Sequence, residues 1–195
     1  MKKLAERIKS IPKTYFYFAD IKKITNLSDK SLKVALNRLV KDKKLIRITR
    51  GVYTININKV DWQSLAVEIY YPSYLSFEWA LSYYNIMSQK PIHLTLATIN
   101  RSKTIKTSQR NLIYHHLQEK MFWGYKKEAN YLVATPEKAL LDQAYLSLNG
   151  YAKFDIEEMN LEGLNKKRLK TYLKRVNYTR LNKYLRPIVC SISKI

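Results

Sequence analysis

The stretch that decides the fold is SLKVALNRLVKDKKLIRITRGVYTI, residues Ser31 to Ile55. Its first half repeats apolar residues at spacings of three and four, which predicts a helix with one buried stripe. Its second half alternates and then turns at Arg50-Gly51, which predicts a two-stranded hairpin. The stretch carries seven Lys and Arg but a single acid, Asp42. A folded core does not require that imbalance, so we expect the excess charge to face a partner.

The predicted helix begins after Ser28, which suits the N-cap position, and runs to about Lys43. Asp29 in its first turn suits the positive end of the helix dipole. Five residues form the apolar stripe: Leu32, Ala35, Leu36, Leu39 and Val40. Five polar residues recur at the same spacings on the opposite side: Lys30, Lys33, Asn37, Lys41 and Lys44. The polar side is therefore the side that is free to meet a partner.

Two shorter helices are predicted before this one. The first is indicated by the spacing of Leu4, Ile8 and Ile11, and the second by the segment FADIKKIT. Helix, helix, turn, basic helix and basic hairpin is the order of a winged helix-turn-helix. In that fold the third helix enters the major groove of DNA, and the hairpin would bring Arg47 and Arg50 to the adjacent backbone or minor groove. A winged helix that serves as a protein-interaction module is the alternative.

The charge of the chain is concentrated in its first part. The 195 residues carry a formal net charge of +21. Residues 1–60 hold 16 Lys and Arg and four acids, a net of +12, whereas the other 135 residues hold 20 and 11, a net of +9. Such an excess predicts a polyanionic partner, which is DNA, RNA or an anionic membrane. The polar stretch NINKVDWQ follows the hairpin, so we expect one domain over residues 1–58 and another over 59–195.

The second part mixes helices and strands, so we expect an α+β protein, a winged helix-turn-helix followed by a mixed α/β C-terminal domain. Helices are predicted over LSFEWALSYYN and EKALLDQAYLSL, and strands over PIHLTLATI, NLIYHHL and YLVAT. Apolar residues alternate from Ile92 along the first of these strands. The second helix starts at Thr135-Pro136-Glu137, where Thr is suited to cap, Pro to the first helical position and Glu to the dipole.

A last basic helix is predicted across NKKRLKTYLKRV, residues 165–176. Its inner face is formed by Leu169, Tyr172, Leu173 and Val176. Four lysines lie on another side and form a candidate surface for an anion or a partner: Lys166, Lys167, Lys170 and Lys174. An ordinary solvated helix is the alternative.

Several segments resemble the AbiEi family of bacterial antitoxin and transcriptional-repressor proteins. In the second part these are PSYLSFEWALSYYNI, the strand pair ending in IYHHL, FWGY and above all YLVATPEKALLDQAYL. The N-terminal helices that end in IRITRGVYTI look like the winged helix at the front of those proteins. The resemblance covers about residues 1–180, and ATPEKALLD is its most specific part. The end of the chain, RPIVCSISKI, matches no pattern of the family and is interpreted as a variable tail.

The resemblance implies the role of a type IV antitoxin. Such antitoxins repress their own operon by binding inverted repeats in promoter DNA, and they neutralise a nucleotidyltransferase-like toxin without a stable complex. The N-terminal domain binds DNA and the C-terminal domain is needed for neutralisation. The resemblance places the DNA contacts on the wing at Arg47 and Arg50 and, on the helix, at Lys30, Ser31, Lys33, Asn37 and Arg38. Lys41 is added because it lies on the same polar side.

The sequence shows no constellation for catalysis. His115 and His116 are adjacent on a strand and point to opposite faces, so with Glu119 they do not make a metal site. Glu137 and Asp142 are five residues apart on one helix and do not share a face well. A phosphate-binding loop and a nucleophile turn are also missing. We therefore expect neither enzyme activity, cofactor nor metal.

The sequence also indicates a compartment. No apolar run approaches the length of a membrane span, and the N-terminal residues lack the apolar core of a secretory signal. The single cysteine, Cys190, is consistent with a reducing compartment. We therefore expect a soluble cytoplasmic protein that does not bind a membrane. Besides a DNA-binding antitoxin, two alternatives stay open: a basic RNA-binding module and a direct protein inhibitor of a toxin.

Overall fold

The structure, a computed structural model, describes residues 2–152 and 158–191. The chain divides into two units, residues 1–65 with 106–109, and residues 66–105 with 110–195. Helices and mixed sheets occur together, so the predicted α+β class is confirmed. That residues 1–58 fold as a domain by themselves stays a prediction.

The first unit contains the predicted helices and hairpin. Its elements are α1 Lys2–Lys9, β1 Phe16–Tyr17, α2 Phe18–Lys23, α3 Asp29–Lys41, β2 Ile46–Thr49 and β3 Val52–Thr54. The strands form an antiparallel sheet in the order β1-β3-β2. This is the element order of a winged helix-turn-helix. The strand that the sequence did not predict, β1, has two residues and is too short to show a period.

The apolar stripe of α3 is the centre of the first core. Leu32, Leu36 and Leu39 are fully buried, whereas Ala35 and Val40 are half-buried. Residues of the other elements pack with them: Ile8, Phe16, Ile21, Leu45 and Tyr53. Burying each leucine stabilises the fold by about 1.5–3 kcal/mol. The stripe therefore fixes which side of α3 faces solvent.

Both ends of α3 are set by local interactions. The Ser28 hydroxyl accepts a hydrogen bond from the Ser31 N–H at 3.2 Å, which confirms the predicted N-cap. The helix ends at Lys41, and Lys43 adopts a positive φ of 55°, so the predicted end was two residues too late. In the hairpin that follows, Gly51 has a φ of 77°, which a glycine adopts without strain.

The second unit is built around a six-stranded sheet with helices. Helix α4 spans Trp62–Ile69, and the division between the units falls within it. The other elements are β4 Ser73–Leu75, α5 Phe77–Tyr83, β5 Leu94–Thr98, β6 Lys103–Lys106, β7 Asn111–His116, β8 Tyr125–Glu128, β9 Tyr131–Ala134, α6 Pro136–Leu148, α7 Lys166–Val176 and α8 Thr179–Ser191. A short 3-10 turn lies at Glu119–Met121, and another lies in the first unit at Ile57–Lys59. The strand order is β6-β7-β5-β4-β9-β8, in which β5 pairs parallel with β7 and β4 parallel with β9.

The alternation predicted from Ile92 was wrong. Strand β5 begins at Leu94, all five of its residues are buried, and Ile92 lies outside it with 73% of its surface exposed. Strand β5 lies inside the sheet between β7 and β4 and is covered on both faces, so its residues need not alternate in polarity.

The segment interpreted as a variable tail, residues 186–195, is helical as far as Ser191. Helix α7 ends at Val176, its C-cap Asn177 has a left-handed conformation, and α8 follows as far as Ser191. Leu181, Leu185 and Ile188 form its buried stripe. Residues 192–195 of the predicted tail lie outside the described residues. The basic helix α7 is therefore not the last helix of the chain.

Candidate nucleic-acid interface

The predicted DNA-binding residues of α3 lie together on its solvent side. At 100° per residue, Lys33, Asn37, Lys30, Lys41 and Arg38 fall within an arc of about 140°, with Ser31 at its edge. All six predicted α3 residues and both wing residues are exposed: Lys30, Ser31, Lys33, Asn37, Arg38, Lys41, Arg47 and Arg50. Lys44, predicted on the same side, lies beyond the helix end.

The cations of this surface are not neutralised by the protein. Three acids of the first unit are engaged elsewhere, with N–O distances of 3.1 Å for Lys13–Asp20, 2.9 Å for Lys22–Asp29 and 4.0 Å for Lys44–Asp42. Among the described residues, no ion pair includes any of the following cations: Lys30, Lys33, Arg38, Lys41, Arg47 and Arg50. Their field therefore extends into solvent, where it attracts anions.

The acid closest in sequence to this surface is Asp29. The hydrogen bond from Lys22 lowers the pKa of Asp29, so its carboxylate is charged at neutral pH. It lies in the first turn of α3, where the helix dipole favours a negative charge. Asp29 therefore supports the helix and forms its ion pair with Lys22, while Lys33 of the α3 surface adds a weaker attraction.

The wing is fixed by backbone hydrogen bonds. Strand β2 pairs with β3 through Arg47 and Tyr53, and the register shifts between Arg47 and Thr49. The Phe18 N–H donates to the Gly51 carbonyl at 2.8 Å, which joins the turn of the wing to the start of α2. Arg50 in that turn and Arg47 on β2 are both exposed. The two arginines therefore extend from a positioned hairpin.

One residue of the α3 surface was missed by the sequence reasoning. Val34 lies between Lys30 and Asn37 on the helix and is 48% exposed. Its spacing of four from Lys30 and three from Asn37 places it on the polar side, so the signal was present in the sequence. An apolar residue in the middle of a basic surface needs its own explanation.

The predicted lysines of α7 also share a side. Lys167, Lys170 and Lys174 are exposed and Lys166 is half-exposed, and at 100° per residue the four lie within an arc of about 100°. In the part of the chain that the structure describes, none of them is in an ion pair. The second unit therefore offers a separate basic surface.

One helix-start assignment in ATPEKALLD needs correction, that of the Thr135 cap, and a second residue, Glu137, has a further role. Thr135 occupies the N-cap position of α6 but makes no capping bond, and its hydroxyl donates to the Tyr172 hydroxyl at 3.3 Å. Glu137 is only 1% exposed, and its carboxylate accepts from the Asn165 N–H at 2.8 Å and from Arg168 Nη1 at 3.4 Å. Glu137 therefore connects α6 to the beginning of α7, besides lying in the first turn of its own helix.

The same motif contains a buried ion pair that the sequence reasoning missed. Lys138 and Asp142, four residues apart on α6, have fully buried side chains and contact each other. Lys138 Nζ donates to the Tyr74 hydroxyl at 2.8 Å. Asp142 Oδ2 accepts from Tyr74 at 3.0 Å and from Ser76 at 2.8 Å. Because Tyr74 and Ser76 lie in and directly after β4, the network fastens α6 to the sheet.

Burial dominates the electrostatics of this network. It raises the pKa of Asp142 and lowers the pKa of Lys138, in each case against the attraction between the two groups. Burial and the Asp142 carboxylate raise the pKa of Tyr74. None of the three side chains is accessible to a substrate. The most specific segment of the resemblance is therefore explained as a structural network.

The segment FWGY also packs against Lys138. Gly124 has a φ of 76°, and a Cβ built on it would lie 3.0 Å from Lys138 Cγ. The Trp123 ring lies 5.3 Å from Lys138 Nζ and 4.3 Å from Arg175 Cζ. A glycine is thus favoured at this position by its backbone conformation and by the close approach of Lys138.

The histidines do not come together as a metal site. His115 lies edge-on to Phe77 with ring centroids 5.1 Å apart, whereas His116 Nδ1 is 3.0 Å from the Asn100 carbonyl oxygen. Over residues 2–152 and 158–191 there is no group of three or more side chains that suits a metal ion. Within the same ranges, no helix combines the length and apolar character of a membrane span.

The element order and the exposed cations of α3 define a winged helix-turn-helix protein with a candidate nucleic-acid interface. Residues 14–56, which include α2, α3 and the wing, match the model of a family described as transcriptional regulator, AbiEi antitoxin. This match confirms the resemblance to the AbiEi family over that segment. The match supports a role as an antitoxin or transcriptional regulator. No curated protein matches the chain.

Proposed function

We propose that the protein represses its own operon by binding promoter DNA through α3 and the wing. The observation that carries this proposal is the exposed set of cations on α3 and the hairpin, none of which is paired with an acid among the described residues. The match of residues 14–56 to a family of transcriptional regulators supports the same conclusion. Residues 1–58 are proposed as the DNA-binding domain.

Helix α3 suits a major groove by its size and its chemistry. Its 13 residues make a helix of about 20 Å, and a major groove about 12 Å wide admits such a helix. Asn37 is suited to an adenine edge and Lys33 to a guanine edge. The remaining cations of α3 and the two wing arginines are suited to phosphates, which set the position of the protein on the duplex. Two copies would occupy the two halves of an inverted repeat.

We propose further that the protein is the antitoxin of a nucleotidyltransferase-like toxin, which it neutralises without a stable complex. The family description as an antitoxin supports this role. The second unit is assigned to neutralisation, because the resemblance to the family places that role in the C-terminal domain. The lysines of α7 form the candidate surface for the anion or partner that is involved.

Equilibrium binding to the upstream region of the gene tests the repressor role. With about six cations on α3 and the wing in contact with phosphates, log K should fall against log[salt] with a slope of about −5, or roughly 30-fold for each doubling of salt. A shuffled duplex of the same length is the control. Tighter binding to the upstream duplex than to the shuffled one is expected. Equal and salt-independent binding to both would contradict the proposal.

An RNA-binding module is the second candidate, and the exposed lysines of α7 are the observation that favours it. Competition of total tRNA against the upstream duplex distinguishes the two, because a DNA-specific repressor should be displaced only by a large excess of tRNA. A direct protein inhibitor is distinguished by co-purification with the product of a neighbouring gene. A stable complex of the two proteins would contradict neutralisation without a stable complex and would support direct inhibition.

A further inference from the structure

Val34 is an exposed apolar residue surrounded by the polar residues of α3. It is 48% exposed, and it lies four residues after Lys30 and four before Arg38 on the same helix side. A single exposed valine is common on protein surfaces and by itself indicates nothing. Its place in the middle of the surface proposed to enter the major groove, with cations one turn away on both sides, is what makes it informative.

A second apolar side chain lies beside it. Leu27, in the turn before α3, is 39% exposed, and together with Val34 it lines one open depression of the surface. Lys30 and Arg38 also line this depression. The surface thus combines an apolar floor with two flanking cations. A ligand that fits must present an apolar group next to negative charges.

We infer that Val34, with Leu27 beside it, contacts the C5 methyl group of a thymine in the operator. The thymine methyl is the apolar group that the base edges of the major groove present, and small apolar side chains contact it there. The phosphates on either side of the groove supply the negative charges for Lys30 and Arg38. This inference rests on the proposed function and deepens it, because it names one base that the protein distinguishes and the residue responsible.

The test begins with the operator that the full-length protein selects from random duplexes. Each thymine of that operator is then replaced in turn by uracil, which lacks the methyl group and keeps the hydrogen-bonding groups. Binding is measured by fluorescence anisotropy at constant salt. At one thymine in each half-site, uracil should weaken binding by about fourfold, the equivalent of exposing one methyl group. At the other thymines, uracil should change binding by less than about twofold.

Substitution of Val34 shows whether the methyl effect depends on this side chain. Val34→Ala should bind the thymine operator about fourfold less tightly and should no longer distinguish thymine from uracil. Val34→Thr, which keeps one methyl group and has nearly the same shape, should retain part of the discrimination. Lys33→Ala is the matched control on the same side of α3, since it should weaken binding to both duplexes and leave their ratio unchanged. Urea unfolding of each variant verifies that the fold is intact.

Three results would overturn the inference. Uracil could be tolerated at every thymine, or Val34→Ala could keep the discrimination of the original protein. The third result is an oligomer that dissociates in Val34→Ala while uracil has no effect, which would assign the apolar depression to contact between copies of the chain. If the protein selects no duplex at all, the proposed function itself fails. If it selects an operator without this coupling, only the role of Val34 fails.

Discussion

Replacing Asp142 by alanine should destabilise the second unit more than any conservative change on its surface. The substitution leaves the Lys138 ammonium fully buried with the Tyr74 hydroxyl as its remaining hydrogen-bond partner. Removing one partner of a buried ion pair costs about 3–5 kcal/mol, because the other charge stays buried and uncompensated. Lys138→Met should cost less, since Asp142 keeps the hydroxyl donors of Tyr74 and Ser76 and can become protonated. Replacing both by Met and Leu should restore most of the stability.

Urea unfolding of the full-length protein measures these differences. Fluorescence in a variant with Trp62 and Trp79 replaced by Phe reports on the site directly, because the Trp123 ring lies 5.3 Å from Lys138 Nζ. Glu128→Ala is the matched control, because it breaks an exposed ion pair with an N–O distance of 2.8 Å to Lys126 and should cost less than about 1 kcal/mol. The reasoning is refuted if Asp142→Ala costs no more than the control. Loss of promoter binding in a double variant that remains folded would show that the network has a role beyond structure.

Three further predictions concern the two basic surfaces and a glycine. Asn37→Ala or Lys33→Ala should weaken operator binding by roughly 1–3 kcal/mol and relax specificity if the residue contacts a base, and an equal loss on operator and random DNA would assign it to phosphate. The α7 surface is tested by changing four lysines to Gln: Lys166, Lys167, Lys170 and Lys174. The variant should no longer rescue cells from a co-expressed cognate toxin, although its protein level is normal. Unchanged rescue and unchanged promoter binding would make the helix structural only. Gly124→Ala should lower the free energy of unfolding in urea by about 1–3 kcal/mol. Gly150→Ala should lower it by less, because Gly150 has the same φ but no neighbouring atoms within 4 Å. Equal losses in the two variants would exclude a contribution from Lys138.

The sequence predicts best where a single period runs through a whole element. In α3 the leucine stripe, the Ser28 cap and the turn at Gly51 are local features, so they could be recognised without knowledge of the fold. The two-residue strand β1 could not be recognised, because it is defined by its pairing with β3 rather than by its own pattern. Burial of both faces of β5 likewise depends on strands and helices from distant parts of the chain.

In the candidate site, too, local features could be predicted and long-range contacts could not. Exposure of the basic residues of α3 follows from the stripe on the opposite side, and for that reason the predicted set lies on one surface. The roles of Glu137 and Lys138 do not follow from local sequence, because their partners Asn165 and Tyr74 are 28 and 64 residues away. The i,i+4 spacing of Lys138 and Asp142 was visible, but such a pair on most helices is exposed. Here α6 is buried on every side over residues 137–144.

Cations that have no carboxylate beside them are also open to the small ions of a buffer. Sulfate and phosphate are expected to occupy the solvent side of α3 in the free protein and to compete there with a duplex. The affinity for DNA measured in phosphate buffer should therefore be lower than the affinity measured in a chloride buffer of equal ionic strength. The protein released from lysed cells is expected to carry host nucleic acid with it. A purification that begins with a high-salt wash, followed through the ratio of absorbance at 260 and 280 nm, is therefore a requirement for any binding constant.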